Sequence, residues 1–338
     1  MISYTPTKSL VTRHSEETLG LALAVGDGEM SEGRLPDLST CLEFCLSAKK
    51  NLLFFYSKSC DKYGEIDVER QANAVKSLVE HRFSLNKIVC RVINQVVEQN
   101  EQQLNETEIC IFTGMETLDE HEQARLVQSI AHNENLVLIA MVPWESGIDG
   151  GTRNVDTDKS LRSSINLRDW LKHRFWLACY DLHRGHSIPP PIEIEDFKTI
   201  DDQVCCKHLI RRYILDIIVH IRMHRLLDIT KGGGAHTGSL HDIVTLAKLI
   251  SYYKFGKKFV TPEHVKMACI WYFPLHLELV RNASMDISVL YGSRPDMVDG
   301  FLEKIAQLKV AQSNMAQNPL FLETLVVKDV LKKVVPPV

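Results

Sequence analysis

The chain has 338 residues, 45% hydrophobic and 24% charged, with a formal net charge of −4 at pH 7 and a pI near 6.4. These proportions exclude wholesale disorder, and the mild acidity gives no basis for strong nonspecific nucleic-acid binding. No stretch approaches the ~20 apolar residues needed to cross a bilayer, and the short apolar run Leu19–Val25 follows the acidic pair Glu16-Glu17 rather than the basic cluster of a signal peptide. The charge is uneven: roughly ten net negative charges fall in residues 1–150 and roughly six net positive in 151–338. Nine cysteines show neither disulfide-like nor zinc spacing, so they are expected as free thiols of a reducing compartment, nuclear or cytoplasmic.

Residues 1–34 are polar without periodicity and are expected to be a tail. A helix is predicted from Asp37 or Ser39, with Leu38, Cys41, Leu42, Cys45 and Leu46 on one face. Asn51–Tyr56 suits a buried parallel strand, 67–80 a helix, and 87–97 fits strand or helix equally. Glu108–Phe112, a helix over 119–132 and the strand Leu136–Val142 form a βαβ unit. Residues 145–165 are a long Gly/Asp/Ser/Thr loop, Trp170–Tyr180 is mixed, and 183–203, with three consecutive prolines, is a linker. From Val204 the pattern is helical. Ile210, Ile214, Ile217, Ile218 and Ile221 trace one stripe, Lys231-Gly-Gly-Gly234 breaks it, and Leu240–Tyr253 forms the next helix. Thr261-Pro262-Glu263 then reads as an N-cap, a first-turn proline and an acidic first turn. A helix over 296–309 and the Leu/Val-rich run 318–335 close the chain.

The segment Gly256-Lys-Lys-Phe-Val-Thr-Pro-Glu-His-Val265, with Gly234-Ala-His-Thr-Gly238 before it, resembles the C-terminal lid of AAA+ ATPases of the MoxR and magnesium-chelatase type. Arg174-Phe175 after Leu171 resembles an element at the end of that family's ATPase core. The resemblance implies an α/β fold with a P-loop-NTPase-like parallel sheet, helices on both faces and a helical AAA+ lid-like domain. Glu108–Phe112 would be the Walker B strand and Leu136–Val142 the sensor 1 strand. Over its whole length from about residue 35, the chain more closely resembles the budding-yeast maintenance of telomere capping protein 2 family. That likeness lies in Leu35-Pro-Asp-Leu-Ser-Thr-Cys-Leu42, Trp170-Leu-Lys-His-Arg-Phe-Trp176, Arg211-Arg-Tyr-Ile-Leu-Asp216 and Trp271-Tyr-Phe-Pro-Leu-His-Leu-Glu-Leu-Val280. The expected organisation is a tail (1–34), a degenerate AAA+-like α/β domain (35–182), a linker (183–203), a helical lid-like domain (204–310) and a C-terminal extension (311–338).

The residues that would hold and hydrolyse ATP are missing from their expected positions. A phosphate loop needs glycines whose backbone wraps the phosphates and a Gly-Lys-Ser/Thr unit, but Ser57-Lys-Ser-Cys-Asp-Lys-Tyr-Gly64 has glycine only at its end. Lys58 and Ser59 are the vestigial candidates. Walker B needs an acidic pair; here Thr113-Gly114-Met115 precede a lone Glu116, and the sensor 2 position holds Gly238. Arg174 is the one expected polar residue retained. No catalytic residue, cofactor or metal is therefore expected; His220 and His224, four apart on a helix, lack a third ligand and are flanked by Arg222 and Arg225.

The expected function is a noncatalytic AAA+-like scaffold in telomere capping or genome maintenance, bound to a protein partner and not to a membrane. Arg211, Arg212, Trp271, Tyr272, Phe321 and Leu325 are the candidate interaction residues. The alternatives are weak nucleotide binding through Lys58 with slow hydrolysis, and nucleic-acid binding by the basic lid (Arg211, Arg212, Arg222, Arg225, Lys257, Lys258).

Overall fold

A computed structural model describes residues 36–57, 68–82, 90–93, 108–133, 135–144, 167–181, 193–280, 282–316 and 318–337. The predicted tail, the loop 145–165 and the proline-rich part of the predicted linker lie outside the described residues, as do Lys58 and Ser59.

The first element, α1 (Leu38–Ala48), starts where Asp37 accepts the Thr40 N–H at 3.1 Å. It buries Leu38, Cys41, Leu42 and Cys45 along the predicted face. Strand β1 (Asn51–Ser57) follows a tight turn, in which Lys49 takes the left-handed conformation. Next come α2 (Val68–Arg82) and β2 (Cys90–Ile93), a strand inside the ambiguous stretch 87–97. Strand β3 (Ile109–Phe112) leads to α3 (Glu120–His132), closed at its start by a capping box between Asp119 and Glu122. Strand β4 (Val137–Trp144), the four-residue helix α4 (Asp169–Lys172) and β5 (Phe175–Asp181) complete this half. The mixed segment 170–180 is thus a short helix and a strand.

All five strands are parallel, in the order β2-β3-β4-β1-β5. Asn51 helps lock the centre: its side chain donates to the Arg174 carbonyl at 3.0 Å and accepts the Leu138 N–H at 2.9 Å. Side chains alternate between the two faces as the pleat requires. Leu53, Phe55, Phe112 and Leu138 face α3, while Leu52, Phe54, Ile111 and Met141 join α1, α2 and the helical half in the larger core.

The helical half comprises α5 (Phe197–Gln203), α6 (His208–Arg222), α7 (Ser239–Leu249, continuing into a π turn over Ile250–Lys254), α8 (Pro262–His276), α9 (Ile287–Leu290), α10 (Pro295–Ala316) and α11 (Phe321–Lys333). Helix α5, with Ile200 fully buried, occupies the end of the predicted linker. Thr261 caps α8 and Pro262 starts it, as the sequence predicts. Helix α11 packs Phe321, Leu322, Val326, Val327 and Val330 inward, largely against α8, so the C-terminal run is core. One continuous hydrophobic cluster includes residues of α1, the sheet and the helical half. Among the described residues, no helix is long and apolar enough to cross a membrane.

Candidate functional site

Two places concentrate unusual chemistry. The first is the carboxyl edge of the sheet, where open α/β folds bind ligands. After β3 the chain turns through Gly114, left-handed at φ +83°, into the single turn Met115–Thr117 that carries Glu116. Met115 is fully buried there. Strand β4 ends in Pro143-Trp144, and the Trp144 and Tyr180 rings meet edge to face at 4.9 Å. Trp144 pairs with Ser57 and Tyr180 with Phe55, on opposite sides of β1, so the two rings meet across the carboxyl end of that strand.

The second is a cluster of three histidines where the sheet meets the helices. His173 caps α4, His236 lies between the triple-glycine turn and α7, and His276 ends α8. One nitrogen from each lies within 4.8 Å of the others. The His173 and His276 rings are nearly parallel with centroids 5.9 Å apart, and His236 meets both edge-on. Gly234 makes this packing possible. At φ +83° its backbone passes so close that a Cβ would stand 2.0 Å from the His276 carbonyl oxygen.

Hydrogen bonding is complete around His236 and incomplete around its neighbours. The Gly238 N–H donates to His236 Nδ1 at 3.1 Å, which leaves the proton on Nε2 for the Tyr272 hydroxyl at 2.8 Å. Tyr272 in turn donates to Asp242 at 3.1 Å, whose other oxygen pairs with Lys50 at 3.2 Å. His276 is buried, and its ring nitrogens make no hydrogen bond of good geometry, only a weak contact with the Trp176 backbone; His173 Nδ1 has no hydrogen-bond partner. A buried polar atom left without a partner costs about 1–3 kcal/mol. Beside them Lys172 forms a buried ion pair with Glu278 at 2.9 Å and donates to the Leu277 carbonyl at 3.1 Å.

Burial first, then His236, His173 and Lys172, hold His276 well below the ordinary imidazole range; the Trp176 backbone opposes this weakly. Burial, then His236 and Lys172, lower His173. Burial also lowers His236, against the pull of Asp242. Burial, then Asp242, pushes the Tyr272 hydroxyl above the usual phenol range. All three imidazoles are thereby favoured in the neutral form.

The structure distributes the other predicted residues differently. Arg174 is exposed, and its backbone carbonyl serves Asn51. Trp271, Tyr272 and Phe321 are buried, because their apolar bulk fills the helical core, and so they present no docking surface; Leu325 is partly exposed. Arg211 and Arg212 are exposed on α6. Arg222 instead grips the Ala235 carbonyl at 2.8 and 3.1 Å, and Arg225 faces Asp286 and the Phe301 ring, so two arginines of the predicted basic surface serve the fold. His220 accompanies the Asp216 carbonyl while His224 faces Asp329, so they form no pair. Sequence reasoning missed the cluster of His173, His236 and His276. Its members are far apart in the chain and obey no ligand spacing, and only the neighbouring glycines hinted at close backbone approach.

The fold and these features define a parallel α/β protein whose sheet half shares one core with a helical half. Residues 36–180, from α1 into β5, match the family model described as maintenance of telomere capping protein 2, N-terminal domain. A maintenance of telomere capping protein 2 of Zygosaccharomyces rouxii is 41% identical over 326 residues, covering 91% of this chain and all of the relative. Its Saccharomyces cerevisiae counterpart is 35% identical, again over 91% of this chain and all of the relative. One of Vanderwaltozyma polyspora is 41% identical over 61% of each chain. The chain belongs to the maintenance of telomere capping protein 2 family.

Proposed function

We propose that the protein is a noncatalytic, AAA+-like scaffold that takes part in telomere capping in the nucleus by binding another protein. The family's name supplies the biological setting. The AAA+ comparison draws support from the parallel sheet, in which β4, the strand matched to sensor 1, lies between β1 and β3.

The observation that carries the noncatalytic reading is what the described residues place at the carboxyl edge of that sheet. Phosphoryl transfer needs charged groups there to hold Mg²⁺ and orient water. Buried Met115 follows β3, and Trp144 and Tyr180 meet over the end of β1. Gly238, at the sensor 2 position, can supply no guanidinium. A partner-binding role is supported by the outer face of α6, where Arg211, Leu215, Val219 and Met223 follow one another at four-residue steps. Leu215, Val219 and Met223 are 45%, 50% and 74% exposed. An apolar row beside two exposed arginines has the composition of a protein interface.

Equilibrium binding of labelled ATP is expected to give no affinity tighter than about millimolar, and micromolar binding would overturn the noncatalytic reading. The double variant Leu215→Glu/Val219→Glu is expected to fold normally and to lose the partners that wild-type protein co-purifies from yeast nuclei. An unchanged set of partners would remove α6 from the proposal.

A further inference from the structure

We infer that His173, His236 and His276 form a binding site for one divalent transition-metal ion, of which Zn²⁺ is the best fit. The site joins the sheet half to the helical half, because His173 belongs to the approach to β5 and the other two to the latter.

Three imidazoles with one open position are an established zinc donor set, and imidazole nitrogen is a preferred donor for zinc over calcium or magnesium. The ring nitrogens already lie within 4.8 Å of one another. A tetrahedral ion with bonds of about 2.0–2.1 Å asks for about 3.3 Å between them, so small side-chain rotations complete the site. The lone pairs are available as well. Buried His276 has ring nitrogens engaged at most by a weak contact with the Trp176 backbone, and half-buried His173 has an unpartnered Nδ1, whereas buried polar atoms are normally hydrogen-bonded. An ion would use a lone pair on each of these two residues.

The surroundings have the form of an outer shell around a metal. Metal-bound histidines usually donate their other ring N–H to a carboxylate, a backbone carbonyl or water, and His236 is held comparably by the Tyr272 hydroxyl, which reaches Asp242. His236 must release the Gly238 N–H to ligate through Nδ1, so His173 and His276 carry most of the affinity. Lys172, Lys50 and Arg222 disfavour positive charge at these imidazoles, an opposition reduced by the pairing of Lys172 with Glu278 and of Lys50 with Asp242. The buried Gly234 turn and the end of α8 hold two of the three ligands against each other, which makes the site local to this junction.

The test uses the full chain, treated with chelator and titrated with Zn²⁺, with Co²⁺ as a spectroscopic substitute. One zinc per chain is expected, with the visible absorption of nitrogen-ligated Co²⁺. A melting temperature raised by a few degrees is expected at ~100-fold excess over Kd. His173→Gln and His236→Gln, at half-buried positions, should each weaken binding by at least about tenfold. His276→Phe, which fills the same space without nitrogen, should abolish the zinc-induced thermal shift while remaining folded. His220→Gln and the double variant Cys205→Ser/Cys206→Ser should bind like wild type. The proposal is overturned if no stoichiometric zinc binds, if His173→Gln and His236→Gln bind undiminished, or if the cysteine variant loses the ion.

Discussion

Gly234→Ala is expected to be among the most damaging single-methyl additions in this protein, and Gly256→Ala provides its control. Both glycines have left-handed backbone, φ +83° at Gly234 and +59° at Gly256, so alanine brings a similar strain of about 1–2 kcal/mol at each. Their surroundings differ. At Gly256 no atom lies within 4 Å of the added carbon, whereas at Gly234 it would lie 2.0 Å from the His276 carbonyl oxygen and 2.9 Å from the Glu278 nitrogen. These are backbone atoms and cannot rotate away, so the turn must lift from the end of α8. That movement breaks the Glu278 N–H bond to Gly233 at 3.3 Å and the Asp228 N–H bond to Glu278 at 2.8 Å, at about 0.5–1.5 kcal/mol each. With overpacking added, the Gly234→Ala loss is at least about 3 kcal/mol. This corresponds to at least about 6 °C in melting temperature, taking ~2 °C per kcal/mol. Gly256→Ala should lose only the strain. Thermal and urea denaturation of the two variants under one set of conditions measures the difference, and equal losses would refute the steric argument.

Two further predictions concern buried charge. Lys172→Met leaves the Glu278 carboxylate buried without a cation and should cost about 3–5 kcal/mol, whereas the double variant Lys172→Met/Glu278→Leu should be more stable than either single variant; a double variant as weak as the summed singles would refute this. His224, 3.3 Å from Asp329, is held below the ordinary imidazole value: burial lowers it first, and Lys333, which shares the Asp329 carboxylate, lowers it further, against the pull of Asp329 itself. The folded protein thus binds this proton less readily than the unfolded chain. The contribution is intact above about pH 6.5 and is lost as pH falls below it, at up to about 1.4 kcal/mol per pH unit. His224→Gln should flatten stability against pH below about pH 6.5, and an unchanged slope would exclude His224 as its source.

Most elements were legible in the sequence because their determinants are local. Asp37, Asp119 and Thr261 cap the helices that follow them, and Pro262 sits in a first turn where its missing N–H has no cost. The uninterrupted apolar runs at 52–56, 109–112 and 137–142 are those of strands covered on both faces. Residues 87–97 were ambiguous because β-branched residues at helical spacing satisfy both periodicities, and pairing with β3 decides for a strand at 90–93. The resemblance to the telomere-capping family was likewise carried by short strings of sequence.

Where a side chain ends up was a different matter. Trp271, Tyr272 and Phe321 beside basic residues suit an interface or a core equally; Trp271 is buried against Phe44 of α1, Tyr272 against His236 and Asp242, and Phe321 at the start of α11. Arg211 and Arg222 look alike in the chain, yet one is exposed beside Cys206 while the other holds a carbonyl. The histidine cluster belongs wholly to the tertiary structure. Periodicity and capping act within a few residues, whereas His173, His236 and His276 meet only after α4, the glycine turn and α8 have packed together. Burial then deprives two of them of water and leaves nitrogens without well-formed hydrogen bonds. Desolvation of that kind depends on three-dimensional surroundings, and no reading along the chain contains it.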